Sequence, residues 1–308
     1  MSVTVAECAQ WTRRELLAMG TTAVVIAGDP PNGAVDWALD TLEVLEQTWS
    51  RFRPDSELSD LNASNGRWFP MSSLLRLAVD RAAVLHTITS GLFDPTVLGC
   101  LTSLGYDRSF RDVAADGPVP MTMPAVGFAS VVREDDWILV PDGVTLDLGG
   151  IGKGLAADLI AVGLIERGAA SACVSLGGDI RIAGAAPEGG WRIPVEDPRG
   201  NRPLGHVPLT GGAIVASTTR FRRWTRAGRD YHHIVDPTTG DSARRGVIAS
   251  VVIDSESWRA EGIAKAAIIA GRVDGPALIE RCGATGWMFD DDGGCVMTGG
   301  TYPVVPGT

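Results

Sequence analysis

Four segments of the 308-residue chain combine residue types at spacings that can do chemistry. Leu146-Asp147-Leu148-Gly149-Gly150-Ile151-Gly152-Lys153-Gly154 runs from an apolar stretch into a helical one. Glycines there let a ligand approach the backbone, and a helix N-terminus offers an anion free N–H groups and partial positive charge. Two familiar phosphate motifs do not fit. Gly154 stands where a Walker A loop needs Ser or Thr, and Leu155 where GxGxxG needs its last glycine. A phosphate loop and a plain strand–helix turn both stay open.

Ser175-Leu176-Gly177-Gly178-Asp179 reads as a glycine hairpin. In Tyr231-His232-His233-Ile234-Val235-Asp236-Pro237-Thr238-Thr239-Gly240, two of the four histidines stand side by side ahead of a Pro/Gly turn. Neighbours on a strand face opposite sides, so only one of the two can face a given pocket. That one is either a satisfied structural residue or a general base, since histidine titrates near neutrality. Glu261 and Lys265 are i, i+4 neighbours on a helix. Alone they make a routine exposed ion pair, but Ala, Ile and Gly around them point to a semi-buried one.

Regular elements must position these groups. Val35, Ala38, Leu42, Leu45 and Trp49 alternate spacings of three and four, which predicts an amphipathic helix. Leu74, Ala78, Arg81, Leu85 and Ile88 predict a second, with one polar break, and Asp55 or Ser56 is placed to cap a short turn through Asn62. Residues 108–130, with Pro118, Pro120 and Pro124, read as a linker or surface excursion. Strands are expected at 22–26, 137–140, 144–148, 173–176, 180–183, 191–195, 213–217, 233–235, 247–253 and 286–289. Further helices are expected at about 153–167, 258–270 and 275–282. The mixture without strict alternation predicts an α+β, or mixed-sheet α/β, architecture. The chain is taken as one domain over 1–308: a helix-rich part at about 15–107, the excursion at 108–130, and a mixed α/β part at about 131–300.

Composition narrows the function. Hydrophobic residues are 45% and charged residues 21%, ordinary for a globular protein, and a net charge of −10 repels nucleic-acid backbones and anionic lipids. Neither nucleic-acid binding nor membrane insertion is expected, since no apolar run reaches about 18 residues. Cys8, Cys100, Cys173, Cys282 and Cys295 are scattered, without a CxxC pair, which suits a reducing compartment. Thr12-Arg13-Arg14-Glu15 ahead of an apolar stretch superficially imitates a twin-arginine export signal. The β-branched run 22–26 reads better as a strand, and a cytoplasmic location is the expectation.

Taken in order, these segments resemble the ApbE family, the FAD:protein FMN transferases. The resemblance rests on Met19-Gly20-Thr21, on Phe52-Arg53-Pro54-Asp55-Ser56-Glu57-Leu58-Ser59-Asp60-Leu61-Asn62, and on Ser90-Gly91-Leu92-Phe93-Asp94-Pro95-Thr96-Val97. It continues through 146–154, 175–180, 233–240 and 260–271, covering about residues 18–290. It implies an FAD-binding fold with the dinucleotide in a cleft between two subdomains. FAD is cut at its diphosphate, FMN is joined by a phosphoester to a threonine of an acceptor flavoprotein, and AMP leaves. It further implies that Met19 and Phe52 pack on the flavin or adenine rings and that Leu92, Phe93 and Asp94 line the same pocket. Asp147 contacts FAD, the 149–153 turn with Lys153 approaches the diphosphate, and His233 is the catalytic base. The family's Mg2+ site typically uses an Asp and, four residues later, a Thr. Here these are Glu261 and Lys265. Either magnesium is held by fewer ligands, with Glu261 and the Gly150 turn, or Lys265 takes the cation's place beside the phosphates. An FAD-binding homologue without transfer activity and an FAD diphosphatase releasing FMN and AMP are the alternatives.

Overall fold

A computed structural model describes residues 10–114, 116–200 and 202–300; Cys8 lies outside them. The chain opens with a hairpin of β1 (Trp11–Ala18) and β2 (Thr21–Gly28), followed by α1 (Ala34–Trp49), α2 (Glu57–Asn62), β3 (Trp68–Pro70) and α3 (Ser73–Ile88). A 3-10 turn at Pro95–Val97 leads into α4 (Leu98–Ser103), and an irregular stretch precedes β4 (Val132–Glu134) and β5 (Trp137–Leu139). Next come α5 (Gly152–Glu166), β6 (Ser171–Leu176), β7 (Asp179–Gly184), β8 (Trp191–Asp197), β9 (Arg202–Leu209) and β10 (Gly212–Thr218). The short strands β11 (Arg223–Arg226), β12 (Arg229–His232), β13 (Val235–Asp236) and β14 (Asp241–Ser242) precede β15 (Val247–Asp254). The chain then forms α6 (Ser257–Arg281), β16 (Thr285–Asp290) and β17 (Cys295–Thr298).

Eight strands make one sheet in the order β1-β2-β6-β7-β10-β15-β16-β17, each neighbouring pair antiparallel. Side chains alternate across it. Ala23, Val25 and Ala27 of β2 with Ala172, Val174 and Leu176 of β6 join the core shared with α1, α5 and α6. Cys173, Ile182, Ile214, Val251 and Trp287 point the other way, against Ile193, Val195, Val207 and Leu209 of the β8–β9 hairpin. The α+β class therefore holds, with helices on one face and a hairpin on the other.

Val35, Ala38, Leu42, Leu45 and Trp49 of α1 are all buried, as their spacing requires. Ser56 caps α2, its hydroxyl accepting the Ser59 amide at 3.0 Å. In α3 Ala78 and Leu85 are buried as expected, Leu74 and Ile88 pack partly buried against the core, and Leu75, Val79 and Ala82 widen the stripe. Arg81 instead lays its guanidinium 5.0 Å from the Trp258 ring. The two C-terminal helices are halves of α6, broken at Gly271 (φ +89°), where a side chain would meet Arg245.

Three expectations need correction. The part read as helix-rich from residue 15 begins with two strands of the main sheet, because Met19 (φ +51°) and Gly20 (φ +68°) turn one apolar run back on itself. Residues 144–148 are not a strand. Leu146 takes its amide–carbonyl pair from one side chain, donating to Asn62 Oδ1 at 2.7 Å and accepting from Asn62 Nδ2 at 2.9 Å. Residues 233–235 do not form one strand either, since β12 stops at His232 and β13 starts at Val235.

A third cluster positions the site. Cys100, Leu101 and Leu104 of the α4 region, with Tyr106, pack on Trp224 and Tyr231 of the β11–β12 hairpin. Trp224 Nε1 donates to the Leu104 carbonyl at 2.6 Å. Arg223 pairs with His232, so Arg222 and His233 leave the open end of that hairpin together. Among its described residues the excursion carries only short 3-10 turns, at Phe110–Asp112 and Phe128–Ser130. It is tied back where Arg226 donates to the carbonyls of Ala114 (2.9 Å) and Gly105 (3.0 Å).

Candidate active site

The 146–154 turn is held by close packing that only glycine permits. A Cβ at Gly150 would sit 2.7 Å from the Phe93 ring, and one at Gly154 2.5 Å from the Ser257 carbonyl. Gly154 thus lets the start of α5 touch the start of α6. That contact brings Lys153 on α5 against Glu261 and Lys265 on α6.

Glu261 is fully buried and both of its oxygens accept hydrogen bonds. Its Oε1 accepts from Lys153 Nζ at 2.6 Å and Lys265 Nζ at 2.7 Å, and its Oε2 from the Gly154 amide at 2.9 Å. Lys153 also pairs with the buried Asp179, and Lys265 donates to the Gly150 carbonyl at 3.1 Å. Two ammoniums and two carboxylates thereby share one water-poor site. Burial alone would raise the Glu261 pKa, but Lys153 and Lys265 outweigh it and hold the carboxyl at about 2. Burial pulls Lys153 down, and Asp179 with Glu261 more than reverses this; Lys265 stays lowered, because burial outweighs its attraction to Glu261. Burial raises Asp179 despite the opposing Lys153.

Two contiguous pockets open on this cluster. Leu92, Phe93, Asp94, Gly150, His233 and Lys265 line one; Met19, Glu46, Trp49, Arg111 and Lys153 line the other. Arg51, Phe52, Tyr106, Asp147, Gly149 and Arg222 belong to both. The residues expected to bind FAD or to act as the base all line these pockets, with Glu261 behind the wall, while His232 and the 175–179 hairpin line neither. Several also have structural duties. Asp94 accepts Thr96 N (2.8 Å) and Oγ1 (2.6 Å) on one oxygen and Phe128 N (3.1 Å) on the other. Asp147 Oδ1 accepts the Gly149 amide at 2.7 Å, and Met19 donates its amide to Glu46 at 2.9 Å. Phe52 is exposed, its ring 5.8 Å from that of Tyr106.

The residues expected for a metal, Gly150 and Glu261, do meet, but around an ammonium. Every oxygen they present already accepts an N–H, and a charged lysine has no lone pair to offer a hard cation. Among the described residues, no group of three or more His, Cys, Asp or Glu is arranged to hold a metal ion. This donor set does not fit magnesium.

The adjacent histidines have different environments. His232 is buried, its Nε2 2.9 Å from the Ala243 carbonyl, while its Nδ1 accepts the Ile234 amide at 3.3 Å. Those two contacts require the neutral ring with its proton on Nε2. His233 is half-buried in the first pocket, and its buried Nδ1 has no hydrogen-bond partner. Burial, then the nearby charges of Arg222 and Lys265, push its pKa well below the ordinary value.

His232 carries an acid-stability prediction. Burial lowers its pKa to about 4 from 6.5. The unfolded chain therefore takes up a proton first as pH falls. The stabilisation is complete above about 6.5 and is lost on the way down to about 4, to a total of about 3 kcal/mol. Urea unfolding at a series of pH values is expected to show this decline, and His232→Gln to flatten it.

Sequence reasoning passed over Arg51, Tyr106, Asp179 and Arg222. Asp179 ends the recognised glycine hairpin, and Arg51 directly precedes the Phe52 motif. Tyr106 and Arg222 had no local signal, because their place follows from the packing of α4 on the β11–β12 hairpin.

Fold and site together define a class: an α+β protein whose antiparallel sheet and paired helices build a lysine-lined double pocket. The ApbE family model matches residues 19–288, and the chain belongs to the ApbE family. It is 29% identical over 275 residues to a FAD:protein FMN transferase of Vibrio cholerae, spanning 85% of this chain and 82% of that one. It is also 29% identical to a protein of that name from Treponema pallidum, over 88% and 82% of the two chains. The ApbE protein of Thermotoga maritima superposes with a TM-score of 0.85 at 26% identity, covering 94% of this chain and 97% of that one. For the flavin transferase ApbE of Vibrio cholerae the TM-score is 0.79, at the same identity and coverage. Among the described residues no helix is long and apolar enough to cross a membrane.

Proposed function

We propose that this chain is an FAD:protein FMN transferase that binds FAD across the two pockets and hands FMN to a threonine of an acceptor flavoprotein. The observation that carries this is that Lys153 and Lys265, both fixed by Glu261, open into different pockets that share Gly149. A dinucleotide laid across that boundary sets its diphosphate between two ammoniums and its ring systems in separate pockets, where Met19, Phe52, Leu92 and Phe93 offer apolar surface. Asp94 and Asp147 shape the walls. The threonine hydroxyl attacks the FMN-side phosphorus, the bond to the AMP oxygen breaks, and the hydroxyl proton passes to the His233 imidazole, which lines the first pocket and whose ring nitrogens the fold leaves without partners. Preset cations and geometry supply the rest of the barrier lowering.

Lys265 takes the role of the charge-neutralising cation in this proposal, in place of Mg2+. The close packing of its ammonium with Gly150 and Glu261 supports that assignment. A cytoplasmic setting belongs to the same proposal, supported by the free buried thiols of Cys100, Cys173 and Cys282.

The test incubates the protein with FAD and a threonine-bearing acceptor, following AMP release and acid-stable flavin on the acceptor. Covalent flavin with stoichiometric AMP is expected. Free FMN with AMP would make the chain a diphosphatase, and binding without cleavage a non-transferring homologue. FAD affinity is expected to change by less than about twofold with EDTA, whereas Lys265→Met weakens it about tenfold at any magnesium level. Loss of FAD binding in EDTA, or undiminished binding by Lys265→Met, would return Lys265 to a plain structural ion pair.

A further inference from the structure

Among the described cations that line the pockets, Arg51 carries a buried donor that the fold leaves unmet. Its side chain is 5% exposed and lines both pockets. Nη1 donates to the Tyr106 carbonyl at 3.0 Å, and Nε lies 3.4 Å from Asp147 Oδ2. Nη2 is buried and has no hydrogen-bond partner. The guanidinium carbon sits 4.1 Å from the Phe52 ring centre and 4.5 Å from that of Tyr106, so the aromatic rings fix its plane. A buried charged donor left without an acceptor is costly and rare in a folded chain, and it marks a place where something else completes the bond.

We propose that Arg51 is a nucleotide-binding residue whose Nη2 takes a phosphoryl oxygen of the ligand at the junction of the two pockets. This rests on the dinucleotide reading above. The junction decides the chemistry: a ligand spanning both pockets passes Arg51 and Gly149 with its connecting part, which in a dinucleotide is the diphosphate. A rigid guanidinium fork matches phosphoryl oxygens in a way a lysine does not. Asp147 beside Nε and the two rings hold that fork ready, so little is lost in ordering it when the ligand arrives.

The test measures the affinities of FAD, ADP and riboflavin for the wild type, Arg51→Met and Arg51→Lys, with melting temperature as a folding control. Arg51→Met is expected to weaken FAD and ADP in parallel, about 30-fold, the loss of one charged hydrogen bond, while riboflavin changes less than about twofold. Arg51→Lys restores the charge without the fork and is expected to recover only part of the loss. A parallel fall in riboflavin affinity would make Arg51 a packing residue, and unchanged FAD and ADP affinities in folded Arg51→Met would overturn the assignment outright. If the wild type binds FAD no better than riboflavin, the dinucleotide reading itself fails. That result is distinct from a defect confined to the variants.

Discussion

Replacing His233 by alanine is expected to lower FMN transfer about 100-fold or more while leaving FAD affinity within a few-fold of the wild type. The magnitude is the usual one for a lost general base. The split between rate and affinity follows from its position: His233 lines the first pocket, and the fold uses both ring nitrogens of His232 but neither of His233. Its environment also sets the pH profile. Burial and the surrounding cations lower its pKa, so the ring is neutral and able to accept a proton throughout the neutral range. Transfer controlled by His233 should therefore stay level as pH falls through 6.5, where an ordinary histidine would already be losing activity. His232→Ala supplies the control, and its defect is expected in stability rather than in turnover of the folded fraction. An equal drop in turnover for both variants would remove His233 from its assigned role.

Glu261→Ala is expected to destabilise the protein by about 3–5 kcal/mol, read as a shift of the urea midpoint. The wild-type carboxylate faces two ammoniums and one amide from a position with no solvent access. Its removal leaves Lys265 with only a carbonyl and Lys153 with only Asp179. Such a loss measures the cost of stranding charge, not the net worth of the ion pair. A double variant, Glu261→Ala with Lys265→Met, should therefore recover part of the stability although it contains one more change. A single-variant loss below about 1 kcal/mol would mean that the lysines rehydrate freely and that the cluster is not a closed unit.

How much of this was visible in the sequence depended on whether the physics was local. The α1 stripe from Val35 to Trp49 is a matter of spacing and came through unchanged. The Gly177–Gly178 hairpin did as well, because both residues take positive φ, which glycine adopts without cost. Its neighbour was half hidden: Gly20 is a turn residue, but Met19 beside it adopts a left-handed conformation unusual for its type, so the β1–β2 turn lacked the usual Asn or Asp. Site chemistry followed the same rule. Glu261 and Lys265 were legible as an i, i+4 pair on one helix, but the arrival of Lys153 and Asp179 depends on Gly154 letting two helices meet. Arg51, flanking a recognised motif, acquires its meaning only from an unmet donor.

The Asn62 clasp has a mechanical consequence. Because a single carboxamide does for Leu146 what a neighbouring strand would do, the approach to the Asp147–Lys153 turn is anchored to α2 instead of to the twisting sheet. A further tie runs from the Asp147 amide to the Pro95 carbonyl, at 2.8 Å, in the turn that ends in the first pocket. The turn is thus held at its start by α2 and the Pro95 turn, and at its end by the sheet, through Lys153 and Asp179 of β7. One short turn therefore takes its position from three separate parts of the fold, the α2 wall, the Pro95 wall and the sheet.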